Sequence, residues 1–352
     1  MSLSPTISAI VDETHCGRHV TGIERITLEL FSQQALAPFD VLPVRSSSRK
    51  RMVWDQNVVL PLRSIQNPAA LVLCSGFPPA PALTLRGSRV VTYIHDLFLL
   101  TRPADLNWRA RAYMAPSLRF ALRRLRNFFV NSEATLHELR RFARPDADIR
   151  LYRPEVRNVL GLAPTDRSAR AVADGPRLAA LGTIEPRKNL RAAAAIVAAL
   201  RERGAPGATL DLIGREGWGG EADRLRGLPG VTLRGYLPAD EIRSIVDGAD
   251  MLISTSHAEG LGLPLLESQY SALPIAAPDQ PVFREALADS GIFIDPSDPR
   301  ASADRILAAL RTADSRRRAA VASLANIARW NAQAREDHQA AIAWLRELAE
   351  KL

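Results

Sequence analysis

Short aliphatic and β-branched runs alternate with helical stretches in two successive series, and this alternation is what most narrows the folds open to the chain. Parallel strands need crossover connections long enough to hold a helix, so the pattern predicts parallel sheets built from βαβ units. In the first series strands are expected at 6–11, 70–74, Val90–Ile94 and 128–130, with a helix at 22–34. Between 154 and 175 the pattern loosens into Pro, Asp and Arg, the composition of a connecting segment. The second series places strands at Arg177–Leu181, Thr209–Ile213, 231–233, 251–254 and 274–276, with helices at 190–203, 239–247 and 264–271. The expected organisation is an α/β domain over 1–160, a linker over 161–176, a doubly wound domain over 177–329 and a final helical segment over 330–352 that packs back on the first domain. The Ala- and Arg-rich stretch 319–352 reads as two helices, or one broken near Trp330.

Charge and cysteine usage exclude several classes of function. The formal net charge of +8 comes almost wholly from arginine, the lysines being Lys50, Lys188 and Lys351, and it favours anionic partners. Nucleic acid has the least support among these, since there is no zinc-finger spacing, aromatic RNA-binding signature or basic tail. Cys16 and Cys74 stand alone, without metal-ligand spacing, and read as reduced, partly buried thiols. No apolar run is long enough to span a bilayer, and no charged segment precedes an apolar one at the N-terminus. A cytoplasmic location is therefore expected. Within 107–129, arginines surround an apolar stripe of Met114, Leu118, Leu122 and Leu125; such a stripe either packs on the first sheet or lies on an anionic membrane.

In open α/β sheets ligands bind beyond the carboxyl ends of the strands. After the strand Arg177–Leu181 comes "GTIEPRKN", in which Arg187 and Lys188 stand together just before a helix, against the dipole preference. Something anionic is expected to compensate them. After the strand at 251–254 comes "HAEGLGLPLLES", in which Glu259 and Glu267 flank a turn containing Gly260 and Gly262, and Pro264 suits the first turn of a helix. Two carboxylates for hydroxyls and two cations for phosphates suggest a ligand carrying both groups.

This set resembles the retaining glycosyltransferases of family 4: Arg187-Lys188-Asn189, then Glu259, seven intervening residues and Glu267, within a dense similarity over 235–298. Weaker likeness extends to "TGIER" at 21–25, to Ile94-His95-Asp96 and to Trp330, and the opening motif looks most like bacterial mannosyltransferases of O-antigen or exopolysaccharide assembly. The resemblance implies the GT-B fold, two facing Rossmann-like doubly wound domains with a deep interdomain cleft. It also implies a sugar-nucleotide donor, with GDP-mannose the first choice, and a saccharide or lipid-linked saccharide acceptor. The sugar nucleotide would be substrate rather than cofactor, and no metal is expected.

By the same resemblance Glu267, in the first turn of the helix begun by Pro264, would accept hydrogen bonds from the ribose, and Glu259 would bind hydroxyls of the transferred sugar. Gly260, Leu261, Gly262 and Leu263 would offer amides to sugar and diphosphate, and Arg187 and Lys188 would neutralise the departing diphosphate. Gly235, Tyr236 and Leu237 would hold the nucleobase through backbone groups, and Gly22 would leave room for the diphosphate or simply open a helix. His95 would act at the donor sugar, and Thr14, His15, Arg18, His19, Arg25 and Asp96 are acceptor-side candidates. A front-face mechanism would let the leaving diphosphate oxygen take the acceptor proton. Asp146 and Asp148 mimic the metal-binding pair of the other main glycosyltransferase fold but read as a turn. Ala272 and Asp279-Gln280 depart from family glycines; the first is expected to strain a helix C-cap and the second to alter a donor-side loop. A nucleotide-sugar epimerase of the same architecture, a transferase using a UDP-sugar and a polyanion-binding protein are the alternatives.

Overall fold

The computed structural model describes residues 7–17, 22–106, 110–167 and 174–351, and among these the chain separates into two units. The first comprises Met1–Glu155 with Ala332–Leu352, the second Val156–Asn331. In the first unit β1 (Ser8–Glu13), β2 (Asp40–Arg45), β3 (Leu71–Cys74), β4 (Val90–Ile94), β5 (Asn127–Val130) and β6 (Asp148–Leu151) form one parallel sheet in the order β2-β1-β3-β4-β5-β6. In the second, β7 (Arg177–Leu181), β8 (Thr209–Ile213), β9 (Val231–Gly235), β10 (Met251–Ile253), β11 (Ile275–Pro278) and β12 (Gly291–Ile294) form another, in the order β12-β11-β10-β7-β8-β9. Both sheets are doubly wound, with the strand order reversing between β1 and β3 and between β7 and β10. Those two points are where the loops part and a ligand site forms.

Strands covered on both faces are nearly continuous apolar runs, as in "LVLC" of β3 and "VVTYI" of β4, all of whose residues are buried. The first unit's core gathers Ile10, Val72, Val90, Phe128 and Leu60; the second gathers Leu178, Leu210, Ile253, Val197 and Ile306. Of the two alternatives for the apolar stripe within 107–129, packing is the one seen for Leu118, Leu122 and Leu125, which are buried in the first core. The first strand runs Ser8–Glu13, the expected start at residue 6 lying outside the described residues, and the first helix ends at Leu30 rather than at 34.

The C-terminal stretch is one continuous helix, Ala313–Glu350, without the expected break at Trp330. It contains neither Gly nor Pro to interrupt it, and Trp330 is fully buried rather than strained at a kink. Residues 332–352 complete the first unit: Asp337 accepts from Arg153 at 2.7 Å, and Trp344 Nε1 donates to Asp148 Oδ2 at 2.8 Å. The stretch 161–167, expected as linker, packs on the second unit. Arg167 is buried there and donates to the carbonyls of Ala249 (2.8 Å) and Val246 (3.0 Å). Ala272 takes φ 56°, the left-handed conformation that glycine adopts at least cost. Among the described residues no helix is long and apolar enough to cross a membrane.

Candidate active site

The loops after β7 and β10 meet where the second sheet reverses. Pro186–Lys188 forms a single 3-10 turn, Asn189 takes φ 49°, and the helix Leu190–Glu202 follows. This turn aims Arg187 and Lys188 at the opposite loop. Arg187 donates to Glu259 Oε2 at 2.9 Å, to the Ala258 carbonyl at 2.7 Å and to Glu185 Oε1 at 2.6 Å. Lys188 Nζ donates to Glu259 Oε1 at 2.5 Å, and Ser256 Oγ reaches the same oxygen at 2.7 Å. The anion that balances the two cations is therefore supplied by the protein.

Backbone contacts lock the two loops together. Thr255 Oγ1 donates to the carbonyl of Asn189 at 2.9 Å, and the His257 amide to that of Arg187 at 2.9 Å. Gly182, the residue after β7, takes φ 134° and admits Lys188: a Cβ there would stand 3.2 Å from Lys188 Cε. Burial alone would raise the Glu259 carboxyl, but the Lys188 ammonium and Arg187 guanidinium outweigh it and hold the group at about 2. Glu259 is thus an ionised carboxylate in a largely buried place, an acceptor for hydroxyls at any physiological pH.

Glu267 does not sit in a first turn. The helix is Leu263–Ser268, capped by Gly262 at φ 81°, so Glu267 is its fifth residue and gains nothing from the N-terminal dipole. Its side chain is buried instead, as is Leu261, while Gly260 and Leu263 are half-buried. Tyr236, after Gly235 at the end of β9, is 70% exposed, and the Arg215 guanidinium lies 4.6 Å from its ring centre. Gly214 N bonds the Gly235 carbonyl at 2.8 Å, joining the loops after β8 and β9, and Leu237 continues this second loop. Asp279 pairs with Arg284 (2.7 Å) and, with Gln280, lines a cavity of about 530 Å³ beyond β11 and β12.

The first unit's switch point uses different chemistry. His95, directly after β4, has Nε2 2.8 Å from the Ser75 carbonyl, so Nε2 carries the hydrogen and Nδ1 is the acceptor in the neutral ring. Burial lowers its pKa to about 4, against the Ser75 bond, and nearby His15 lowers it further. His15 Nε2 lies 3.0 Å from Thr27 Oγ1, and its ring fills the space beside Gly76 and Phe77. Thr14 is held by Asp12 Oδ1, through its amide at 3.0 Å and its hydroxyl at 2.6 Å. Asp96 Oδ1 accepts from the Phe98 amide at 3.0 Å. Gly22 opens the helix Gly22–Leu30, and a Cβ on it would meet no atom within 4 Å; Arg25 is half-buried in the same helix. Arg18 and His19 lie outside the described residues.

Asp146 is bound by Arg126 (2.8 Å) and Arg144, and Asp148 starts β6, so the two carboxylates belong to a turn and a strand end. Among the described residues no group of three or more His, Cys, Asp or Glu side chains has a metal-holding arrangement. Sequence reading missed Glu185, Ser256 and Ser75. Glu185 alone left a signal, a carboxylate two residues before Arg187 in the same loop.

Comparison with known proteins agrees with this geometry. Residues 22–154 match the family described as Glycosyltransferase Family 4, and 175–312 the family described as Glycosyl transferases group 1. O-antigen chain mannosyltransferase B of Escherichia coli is 27% identical over 241 residues, 64% of this chain and 62% of that protein. The serotype-specific mannosyltransferase WbdA of Escherichia coli is 29% identical over 137 residues, 37% of this chain and 16% of the longer protein. The chain therefore spans less than two thirds of these curated relatives. Sucrose-phosphate synthase from Thermosynechococcus elongatus superposes with a TM-score of 0.72 over 98% of this chain and all of that one, at 15% identity. With two Rossmann-like sheets of the GT-B type and a match in each half, the chain belongs to the family 4 glycosyltransferases and is related to bacterial mannosyltransferases.

Proposed function

We propose that this chain transfers a hexose from a sugar nucleotide to a saccharide or lipid-linked saccharide, with retention of anomeric configuration and without a metal ion. Mannose from GDP-mannose is the preferred donor, a choice supported by the likeness to O-antigen mannosyltransferases. The observation that carries the reading is the bridge formed by Glu259 between Arg187 and Lys188 at the reversal of the second sheet. An ionised Glu259 accepts hydroxyls of the donor sugar, while the remaining hydrogens of the ammonium and guanidinium turn toward the diphosphate. Those N–H donors, oriented by Glu259 before the reaction, stabilise the diphosphate as it leaves. The leaving oxygen takes the acceptor proton, so the chemistry needs no side-chain base.

A thermal-shift panel of sugar nucleotides tests the proposal, because a ligand at about 100 times its dissociation constant adds about 2.7 kcal/mol of apparent stability. GDP-mannose is expected to give the largest shift, and proton NMR of the glycosylated product to show the donor's anomeric configuration. A larger shift with a UDP-sugar would replace the donor. No shift with any sugar nucleotide, or release of an epimer without acceptor, would overturn the transferase reading.

A further inference from the structure

Residues 46–94 hold one acidic residue, Asp55, against Arg49, Lys50, Arg51, Arg63, Arg86 and Arg89. Asp55 is buried, accepting from Arg51 Nε and Ser46 Oγ at 2.8 Å each, so no carboxylate of this stretch faces solvent. The helical run through Arg49–Trp54, Asp55–Val59 and Leu60–Gln66 buries Gln56, Leu60 and Ser64 on one side. Its other side exposes Val53, Trp54 (54%), Leu62 and Ile65 (64%) beside Lys50, Arg51 and Arg63. The 3-10 segment Pro81–Arg89 contacts both Leu60–Gln66 and the helix Ala115–Arg124. It exposes Leu85 at 89%, while Ala115–Arg124 exposes Phe120, Arg119, Arg123 and Arg124.

All three elements cover one core, into which Leu60, Leu83, Leu118 and Leu122 point, and so turn their other sides to solvent as one layer. That layer carries six of the thirteen exposed large apolar side chains among the described residues. The geometry points to this face as a docking surface for an anionic lipid bilayer. Apolar side chains with a tryptophan among them, ringed by cations and free of exposed acid, suit the boundary between headgroups and acyl chains. A second copy of the chain would set cation against cation. A nucleic acid would satisfy the arginines but leave Ile65 and Leu85 in water. The stripe of Leu118, Leu122 and Leu125 takes no part, being buried; the surface is the opposite side of that layer, centred on 49–66. The inference is independent of the transfer chemistry, since its readout is lipid binding.

Flotation of the purified chain with vesicles tests it, comparing phosphatidylcholine alone with a phosphatidylcholine–phosphatidylglycerol mixture at low and high salt. The parent is expected to float only with the mixture, less at high salt. Trp54→Ser/Ile65→Ser and Lys50→Glu/Arg63→Glu are each expected to reduce the bound fraction about tenfold or more, at an unchanged melting temperature. Quenching of tryptophan emission by brominated lipid is expected in the parent and reduced in Trp54→Phe. Should the serine pair fold poorly, the charge-reversal pair and the quenching carry the decision. The inference fails if the parent stays out of the lipid fraction, or if the folded variants float as it does. A change in the monomer–dimer balance without lipid binding would assign the face to a second copy and overturn it too.

Discussion

At the ends of β7 and β10 the cations Arg187 and Lys188 converge on Glu259, with Glu185 also on Arg187, whereas at the ends of β1, β3 and β4 His95 and His15 meet a carbonyl and a hydroxyl, and the one carboxylate beside them, Asp12, holds Thr14 rather than a cation. The two sheets share their doubly wound logic and diverge in what fills the reversal point. In the second unit a carboxylate is held ionised at about 2 by cations; in the first a histidine is held neutral, with a pKa of about 4, by burial. The difference teaches which ligand group each end suits. Phosphate calls for fixed positive charge, and sugar hydroxyls accept neutral donors and acceptors as well.

The sharpest way to break this contrast is to neutralise its charged side. Glu259→Gln is expected to lower turnover by about 10³-fold, ~4 kcal/mol of barrier, since it removes a preorganised electrostatic group. It also leaves two cations without their shared anion, so the melting temperature is expected to fall and to recover partly with added nucleoside diphosphate. Normal turnover with normal stability would show that the bridge serves neither the chemistry nor the fold.

His95→Ala comes next, with an expected loss of about a hundredfold in turnover, ~2.7 kcal/mol, and nucleoside-diphosphate affinity within about threefold of the parent. The bond to Ser75 makes a purely structural role the competing outcome. Turnover, nucleotide affinity and melting temperature measured on one preparation separate the two: parallel loss of all three would place His95 in the scaffold.

Acid then distinguishes the units through the pH dependence of stability. The native pKa of His95 lies below its unfolded value, so between about 6.5 and 4 the unfolded chain binds a proton that the native chain refuses. Stability therefore falls as pH drops through that window, by at most roughly 2 kcal/mol at pH 5. Glu259 has the opposite chemistry and a lower window: its depressed pKa stabilises the fold above about 4.5, a contribution lost only as pH falls toward 2. Urea melts of the parent and His95→Gln from pH 7 to about 5 are expected to converge on acidification. Parallel pH profiles would remove the histidine assignment. The smallest expected effect is that of a chelator, which should leave activity unchanged; loss restored by manganese or magnesium would contradict the metal-free reading.

Every interior strand was legible in the sequence, whereas of the four edge strands only β9 was. β3, β4, β7, β8 and β10 are interior strands flanked on both sides, and their apolar runs announce them. The three strands missing from the sequence reading, β2, β6 and β12, are all edges. β2 carries Pro43, tolerated because an edge strand leaves a donor position unpaired; β6 reads "DIRL"; β12 starts at a glycine. The site shows the same division. Arg187, Lys188 and Glu259 are conspicuous as charges at strand ends, but Ser75 acts through its carbonyl, which every residue possesses, so no spacing rule reveals it. Glu267 was placed by its distance from Pro264, and the helix starting with Leu263 leaves it past the dipole's reach.

The membership of residues 332–352 in the first unit has a consequence for the order of synthesis. The second unit is one contiguous stretch and can finish its core as soon as it has cleared the ribosome. The first unit begins earlier and ends later, because Arg153 waits for Asp337, and Asp148 for Trp344. At ~5–20 residues per second the intervening stretch takes on the order of ten seconds or more to make. For that interval the half of the chain translated first is the half still incomplete.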